Sequence, residues 1–362
     1  MITSTTNTHQ QQQYHEKYTP TNIFIGGLGY VGLRLASKLH KVYPHAYISG
    51  TVRSTERRDG LLSSSSYNNK EQYIDNVHVL DIDNEYIGLD NNGLEDLVNA
   101  DTIIQTVAPI ADFDTDPLLV FHDDKLLTSE KLKYVVYISS TSVYGNHDGD
   151  WVSEEEDDNV ENVLLCTDAK SLARIKAEKA WGKLEQQKGD TQNHISIPTI
   201  RVDYFRCGGI YGPGRGPLFS TTTMDTLTND RPPEEDEDTP TKYVNRILVD
   251  DICSAVVSGM SMSSSRPIYS GGRVYNCVDD DPAPRRDVMA EARRLLMSIR
   301  GKEEIQSSTS SDTTSKNGRR RRISRGTGNK RCKNTRLKEE YDWKLVAPTY
   351  REGLALLLEE VV

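Results

Sequence analysis

Long apolar runs are absent from this chain of 362 residues, and no stretch reaches the length of about 18 residues that a membrane-spanning helix needs. The first twenty residues contain no Arg and no charged segment followed by an apolar one. Neither a secretory signal nor a transit peptide is therefore predicted there. This stretch is rich in Thr, Gln and Asn, so residues 1–20 are predicted to form a disordered tail.

Paired cysteines and clustered histidines are also lacking. The eight histidines show no metal-ligand spacing, so no bound metal is predicted. The five cysteines stand singly, without the spacing of a disulfide framework or a zinc site, which favours a reducing compartment and predicts a cytoplasmic protein. They are Cys166, Cys207, Cys253, Cys277 and Cys332.

An excess of positive charge is missing as well. The formal net charge is −10, which argues against a nucleic-acid partner because phosphate neutralisation needs a basic face. Two charged segments, near 231–241 and 303–333, are predicted to be disordered insertions. The second contains the basic run 319–322, which is interpreted as a solvated loop, with a nuclear-import or polyanion-binding patch as the alternative.

The most informative motif is a glycine-rich turn between a strand-like run, 22–25, and a helical pattern that begins at Leu33. Gly26 would permit the tight turn, Gly29 would let backbone N–H groups approach a pyrophosphate, and Gly32 would allow close helix–strand packing. A following strand at 46–52 completes a βαβ unit, which makes a glycine loop without a ligand the less favoured interpretation. The predicted dinucleotide contacts are Gly26, Leu28, Gly29, Tyr30, Val31 and Gly32.

Strand and helix patterns then alternate along the chain. Further strands are predicted at 77–80, 102–107, 134–138 and 199–205, and helices at 94–98, 118–132 and 168–184. After residue 207 the pattern changes to a Gly/Pro-rich loop and shorter elements. We predict an α/β fold with a Rossmann-type doubly wound parallel sheet over 21–207. A smaller α+β substrate lobe is predicted over 208–362.

Five separated motifs together resemble the extended short-chain dehydrogenases/reductases, the NAD-dependent epimerase/dehydratase superfamily. The resemblance covers nearly all of residues 22–362, and its C-terminal part is similar to an atypical bacterial-type subgroup. The motifs are the glycine turn, Ser-Ser-Thr-Ser-Val-Tyr-Gly at 139–145, Arg-Cys-Gly-Gly-Ile-Tyr-Gly-Pro-Gly-Arg at 206–215, Asn-Arg-Ile-Leu-Val-Asp-Asp-Ile at 245–252 and Tyr-Asn-Cys-Val-Asp-Asp at 275–280.

The resemblance implies further cofactor contacts and places the bound dinucleotide. Asp81 matches the position that approaches the adenine, and Ala108 and Pro109 would lie beside the nicotinamide ribose. At the end of the second strand, where NAD-preferring proteins usually have an acidic residue, this chain has Arg53. Arg53 is therefore predicted to bind a 2′-phosphate and to favour NADP, with NAD as the alternative.

Two further arginines, Arg57 and Arg58, follow closely and could share this role. The alternative is that these arginines open a solvated helix, where Glu56 and Asp59 pair with them instead.

The reacting groups depart from the family pattern. Ser140 occupies the position of the family serine that contacts the reacting oxygen. The positions of the family Tyr and Lys hold Lys170 and Arg174, so the usual catalytic tyrosine is absent. Lys170 is predicted to act as acid/base or else to lie exposed, while Arg174 faces a cofactor phosphate or pairs with Glu178. Tyr144 is the nearest alternative phenol.

These observations support two hypotheses about function. The first is an NADP(H)-dependent oxidoreductase or epimerase that transfers hydride between the cofactor and the carbonyl or hydroxyl of an unknown small-molecule substrate. The second is a non-catalytic NADP(H)-binding sensor or scaffold that lost the family tyrosine. Trp181 lies on the apolar side of its helix and is predicted to be in the core or at an interface, so a homodimer is also considered.

Overall fold

The computed structural model describes residues 18–67, 73–80, 88–109, 116–154, 164–189, 200–219, 241–261, 272–303 and 328–360. Its strands are β1 (Asn22–Gly26), β2 (Tyr47–Val52), β3 (Asn76–Val79), β4 (Thr102–Gln105), β5 (Tyr134–Ser140), β6 (Trp151–Val152), β7 (Arg201–Cys207), β8 (Gly209–Tyr211), β9 (Tyr243–Val244), β10 (Arg246–Leu248), β11 (Arg273–Cys277), β12 (Ala283–Pro284) and β13 (Arg331–Cys332). Its α-helices are α1 (Tyr30–Val42), α2 (Thr55–Tyr67), α3 (Asn91–Asn99), α4 (Pro117–Thr128), α5 (Ala169–Gly189), α6 (Val249–Met260), α7 (Arg285–Glu303), α8 (Thr335–Tyr341) and α9 (Tyr350–Glu359).

Seven strands form the central sheet in the order β3-β2-β1-β4-β5-β7-β11, and every neighbouring pair is parallel. Parallel strands are covered by helices on both faces, so their side chains are apolar in both directions. In β1, Ile23 and Ile25 belong to one buried cluster and Phe24 to another, which is the alternation that a two-layered cover requires. The predicted Rossmann-type sheet is confirmed.

Helices cover the two faces of this sheet. On one face α1 and α6 pack together, with Leu35, Leu39 and Ile252 in the same cluster as Ile23. On the other face α3, α4 and α5 pack over β4 and β5, and Trp181 is fully buried there. Trp181 is thus a core residue. Separately, no helix of the described part of the chain is long and apolar enough to cross a membrane.

The strand order reverses between β1 and β4, where one half of the sheet runs outward toward β3 and the other toward β11. Loops that follow the carboxyl ends of strands on either side of such a switch point diverge and leave a crevice. The glycine turn follows β1, and residues 106–109 follow β4. The topology therefore places the predicted dinucleotide loop at the binding position of this fold class.

The part of the chain after residue 207 contributes to both halves of the molecule. It supplies β11 as an edge strand of the central sheet and α6 as a cover for α1. A separate cluster joins β8 and β10 to α7 and α9, with Tyr211, Leu248 and Leu354 among its buried members. The smaller lobe is therefore built on this second cluster, while the central sheet takes its last strand from the predicted lobe range.

Two predicted disordered segments are partly ordered. Residues 1–17 lie outside the described part, but the Tyr18 hydroxyl contacts Oγ1 of Thr102 (2.6 Å) and Oδ1 of Asp101 (2.9 Å). Most of the basic segment also lies outside the described part, but 328–333 is packed, and β13 pairs with β6. The prediction of disorder was wrong for these stretches because hydrogen bonds and packing against the body hold them in place, with Tyr18 and Cys332 each in contact with a buried cluster.

Candidate active site

The turn after β1 is centred on Gly27, whose φ of 92° lies in the left-handed region that glycine adopts without strain. Its N–H donates to Oγ1 of Thr51 (2.9 Å). The tight turn predicted for Gly26 is therefore made by its neighbour. Gly26 is needed for another reason, since a Cβ there would collide with the side chain of Gln105 on β4. A Cβ at Gly32 would overlap the carbonyl oxygen of Gly27, so α1 approaches the turn at a distance that only glycine allows.

Gly29 is the N-cap of α1 and supplies no side chain to its first turn. A Cβ at Gly29 would meet no atom within 4 Å, so this residue borders open space. Unpaired N–H groups at a helix start carry partial positive charge and bind phosphate groups. The flanking Leu28 and Val31 are buried and fix the turn on the core. The N-terminus of α1 thus has the geometry of a pyrophosphate cradle.

Tyr30 joins this cradle to the smaller lobe. Its hydroxyl donates to the carbonyl oxygen of Pro213 (3.2 Å), and the guanidinium of Arg215 lies 5.1 Å from its ring centroid. Burial raises the pKa of Tyr30, so its phenol stays protonated and keeps donating. The first turn of α1 therefore borders both halves of the molecule.

The loop after β4 is fastened directly to the glycine turn. Oγ1 of Thr106 donates to the carbonyl oxygens of Gly26 (3.0 Å) and Gly27 (2.7 Å). Ala108 and Pro109 follow at once, and Ala108 is exposed. This attachment holds the predicted nicotinamide-ribose contacts next to the predicted pyrophosphate contacts. Asp81, predicted to approach the adenine, lies outside the described residues.

The arginines after β2 have different surroundings. Arg57 lines a cleft of about 520 Å³ together with Gly29, Tyr30, Arg34 and Tyr73. Arg53 is exposed at the end of β2. Arg58 pairs with Asp59 (2.9 Å), which is the solvated pairing considered as the alternative. Arg57 thus lies in the cleft beside Gly29, while Arg53 is exposed directly after β2.

Arg34 is neutralised in the same cleft, because Asp250 accepts two hydrogen bonds from its guanidinium at 2.8 and 2.9 Å. The pair joins α1 to α6, two helices on the same face of the sheet.

Ser140, the last residue of β5, and Tyr144, in the turn that follows, have different surroundings. Ser140 is half-buried, and its Oγ accepts from the N–H of Ser142 (3.1 Å) at the start of a 3₁₀-helical turn. That bond uses the oxygen as acceptor, so the hydroxyl proton can still be donated to a substrate oxygen. Tyr144 is fully buried, and its hydroxyl donates to Oδ1 of Asn276 (2.7 Å). The Tyr144 phenol is therefore engaged in a structural hydrogen bond.

Helix α5 carries the residues at the family Tyr and Lys positions. Lys170 is exposed in the first turn, and Arg174 is half-buried. Arg174 lies three and seven residues before Ala177 and Trp181, which are buried together with Tyr137 of β5, so it is on the side of α5 that faces the sheet. The structure brings Arg174 toward the sheet and leaves Lys170 at the surface.

The pairing of Arg174 with Glu178 that we had considered was wrong. The Glu178 carboxylate accepts from Ser139 Oγ (2.5 Å) and from Arg206 (2.8 and 3.2 Å). Arg206 in turn lies over the ring of Tyr144, 4.9 Å from its centroid. This buried network ties α5 to β5 and β7 and leaves Arg174 available to another anion.

Sequence reasoning missed the segment 328–333 as part of this region. Nζ of Lys330 donates to the carbonyl oxygen of Gly145 (3.0 Å), and Nε of Arg331 donates to that of Gly149 (2.7 Å). Arg331 also lies over the rings of Trp151 and Tyr243, at 5.0 and 4.7 Å. A two-residue strand in a basic run has no periodic pattern, so no local signal distinguishes it from a solvated loop.

A second buried arginine, Arg246, has an incompletely paired carboxylate near it. Asp279 is buried, and neither of its oxygens makes a hydrogen bond of good geometry within the described residues. Burial raises its pKa to about 8, although the charge of Arg246 opposes this. Arg246 donates instead to the carbonyl oxygens of Val244 and Ala283, both at 2.8 Å. This part of the lobe therefore contains a carboxyl group whose burial favours the protonated form.

Within the described residues, no group of three or more His, Cys, Asp or Glu side chains is placed to hold a metal ion. The cysteines Cys166, Cys207, Cys253, Cys277 and Cys332 are all buried as free thiols.

Comparison with known proteins identifies the fold. No family model and no curated protein sequence matches the chain. Among solved structures it is similar to a functionally unknown conserved protein from Silicibacter pomeroyi, with 24% identity and a TM-score of 0.62 over 94% of this chain and 99% of that one. It is also similar to dTDP-glucose 4,6-dehydratase from Bacillus anthracis in complex with NAD (17% identity, TM-score 0.62, 94% of this chain and 96% of that one).

A third similar structure is a tyrosine-to-phenylalanine mutant of UDP-glucuronic acid 4-epimerase from Bacillus cereus in complex with UDP-4-deoxy-4-fluoro-glucuronic acid and NAD (16% identity, TM-score 0.61, 94% of this chain and 99% of that one). All three comparisons span nearly the whole of both chains, so they concern the central sheet and the smaller lobe together. The chain therefore has the Rossmann-type fold of these solved structures.

Proposed function

We propose that this protein is an NADP(H)-dependent oxidoreductase or epimerase that transfers hydride to or from a carbonyl or hydroxyl substrate. The observation that carries the proposal is Gly29, which borders open space at the uncapped start of α1. This position lies at the switch point of the sheet, where dinucleotides bind in doubly wound folds. Two similar structures hold NAD, which agrees with a nicotinamide cofactor.

The chain's own residues fit this cofactor along its length. The amides at the start of α1 would hold the pyrophosphate, and Ala108 and Pro109 would border the nicotinamide ribose. Arg53 and Arg57 would hold a 2′-phosphate through charge-assisted hydrogen bonds, which favours NADP over NAD. When bound, the nicotinamide supplies or accepts the hydride. Arg174 would add a cation on the side of α5 that faces the sheet.

The substrate oxygen would lie at Ser140, whose hydroxyl proton can still be donated. Hydrogen bonding by this hydroxyl would orient the oxygen and stabilise charge that develops on it. Lys170, at the family tyrosine position, is the acid/base that the sequence offers, with Tyr144 as the alternative. Tyr144 is the weaker of the two because its hydroxyl is already bonded to Asn276 inside the core.

Titration calorimetry with NADPH and NADH, followed by a screen of carbonyl compounds and nucleotide sugars, tests the proposal. Loss of NADPH absorbance would report reduction, and product analysis by chromatography would report epimerisation, which leaves the cofactor unchanged overall. We expect binding of NADPH and turnover of at least one substrate class. Binding without any turnover would favour the sensor hypothesis, and no binding would overturn both.

A further inference from the structure

Neither candidate acid/base predicted from the sequence is well placed to reach a substrate oxygen at Ser140. Lys170 is exposed at the start of α5, and the Tyr144 hydroxyl is held in the core by Asn276. An acid/base must reach the substrate oxygen directly or through one water, and it works best when its pKa lies near the working pH. A group from another part of the chain is therefore needed.

Lys330 is such a group. Its side chain is buried, with 7% of the residue exposed, and its Nζ lies 3.0 Å from the carbonyl oxygen of Gly145. Gly145 ends the 3₁₀-helical turn that begins directly after Ser140. An ammonium has three N–H donors, and within the described residues only this carbonyl accepts from Lys330. Two of its donors have no acceptor among the described residues and could serve a substrate or water.

The backbone around Lys330 is anchored on both sides, so its position is determined by the fold. Asn245 donates from Nδ2 to the Lys330 carbonyl oxygen (3.2 Å) and accepts at Oδ1 from the Cys332 amide (2.7 Å). The carbonyl oxygen of Asn329 accepts from the amides of His147 (2.9 Å) and Gly149 (3.1 Å). These contacts hold the amine against the loop that follows β5.

The start of α5 meets the same loop. The Leu165 amide donates to the Tyr144 carbonyl oxygen (3.0 Å), and a Cβ at Gly145 would collide with the Leu165 backbone. Asp168, two residues before Lys170, is close enough to influence Lys330 electrostatically. Lys330 therefore lies where the Ser140 loop and the start of α5 converge, the two segments that carry reacting groups in the family.

The electrostatic setting suits proton transfer. Burial is the largest influence on Lys330 and lowers its pKa, and the charge of Lys242 lowers it further. Cys332, Cys166 and Asp168 oppose this effect. Desolvation of a lysine favours its neutral amine, which can accept a proton at a pH where a surface lysine cannot.

We propose that Lys330 transfers the proton between the protein and the substrate oxygen, in place of the missing tyrosine. The proposal rests on the proposed hydride-transfer function. In oxidation, the substrate hydroxyl proton would pass to the neutral Lys330 amine while hydride leaves the same carbon for the bound dinucleotide. The C–O bond thereby becomes C=O. Reduction reverses both transfers, and the Lys330 ammonium then donates the proton.

Competitive labelling with acetic anhydride tests the amine directly, without a substrate. Mass spectrometry would follow acetylation of Lys330 and of exposed Lys333 in the unmodified protein from acidic to alkaline pH. We expect Lys330 to react, with a midpoint at lower pH than that of Lys333. A Lys330 that stays unlabelled at every pH, or one with the midpoint of Lys333, would overturn the proposal.

Variants test the role in turnover. Lys330→Met and Lys330→Arg should each lower kcat by about 10²-fold or more and remove one limb of the pH–rate profile, with cofactor affinity nearly unchanged. Arginine keeps the cation and a donor for Gly145 but does not deprotonate, so full rescue by Lys330→Arg would show a structural role and overturn the proposal. Lys333→Met is the matched control and should be silent.

The two proposals fail in different ways. If Lys170→Ala removes the pH–rate limb while Lys330→Met retains full turnover, hydride transfer stands and the role of Lys330 is overturned. If the unmutated protein binds NADPH but turns over no substrate, hydride transfer is overturned, and the role of Lys330 with it. Thermal denaturation of each variant would confirm that loss of activity does not reflect loss of the fold.

Discussion

The cofactor edge and the reaction edge of this protein are assembled in different ways. The pyrophosphate cradle of the cofactor edge comes from one continuous segment, in which Gly26, Gly29 and Gly32 each have a distinct steric surrounding. The reaction edge combines Ser140 at the end of β5, the start of α5 and Lys330 beside β13. A site made from consecutive residues leaves a pattern in the sequence. A site made from remote segments does not, because its neighbours are chosen by the fold.

The same contrast appears between two buried arginines. Arg206 makes two hydrogen bonds to the Glu178 carboxylate, so this pair is satisfied inside the core. Arg246 donates to backbone carbonyl groups instead, and among the described residues nearby Asp279 has no well-formed hydrogen bond. A buried carboxylate is costly unless it is paired, so burial raises the pKa of Asp279 and favours its protonated form.

The largest effect is expected at the cofactor edge. Gly29→Val should weaken NADPH binding by about 10²-fold or more, because its side chain would fill the open space in front of α1. Titration calorimetry measures the loss, and the melting temperature should change little since no protein atom lies within 4 Å of the added Cβ. Gly60→Val is the control, because a Cβ at Gly60 also meets no atom within 4 Å. Unchanged binding by Gly29→Val would place the phosphate site elsewhere.

Arg53→Ala tests the predicted 2′-phosphate site at the cofactor edge. We expect it to remove most of a preference for NADPH over NADH, roughly 10- to 100-fold, since hydrogen bonds to charged groups contribute about 1.5–3 kcal/mol. Arg58→Ala is the matched control, because Arg58 is paired with Asp59. Equal affinities of the unmutated protein for the two cofactors would contradict the assignment of a 2′-phosphate site.

Asp279→Asn tests the incompletely paired carboxyl group. The folded pKa of about 8 exceeds the ordinary value of 3.8, so the folded state holds a proton that the unfolded chain releases. Its contribution to stability is therefore full below about pH 4 and is lost as pH rises to about 8, by at most about 1.4 kcal/mol per pH unit.

Urea unfolding at several pH values between these limits measures the slope. Asn keeps the shape but does not titrate, so the variant should show a flatter pH dependence, while Asp287→Asn on the exposed face of α7 should not. An unchanged slope in Asp279→Asn would mean that Asp279 is ionised in the folded protein.

The smallest effect is expected at Tyr144. Tyr144→Phe leaves the buried Oδ1 of Asn276 without its donor, which should lower the free energy of unfolding by about 1–3 kcal/mol. We expect kcat to change less than about tenfold, because the phenol is engaged in the core. Thermal denaturation and steady-state kinetics measure the two quantities. A large loss of kcat in a stable variant would show that Tyr144 takes part in the reaction.

Much of the fold could be predicted from local patterns, with errors where tertiary contacts dominate. The predicted helix 118–132 ends at Thr128, because Ser129 leaves helical geometry and its Oγ accepts from the amides of Lys131 and Leu132. The edge strand β11 belongs to the central sheet although the sequence pattern had changed long before it. β11 pairs with the free edge of β7, and the local sequence pattern contains no sign of this pairing.

The amino-acid sequence by itself determined the glycine turn and the alternation of strands and helices, because each depends on neighbouring residues along the chain. Only the tertiary structure decided that Gly27 makes the left-handed turn, that Glu178 pairs with Arg206 and that Lys330 reaches Gly145. Those contacts join residues far apart in the chain. Their formation depends on how the sheet and its covering helices pack, which local preferences do not encode.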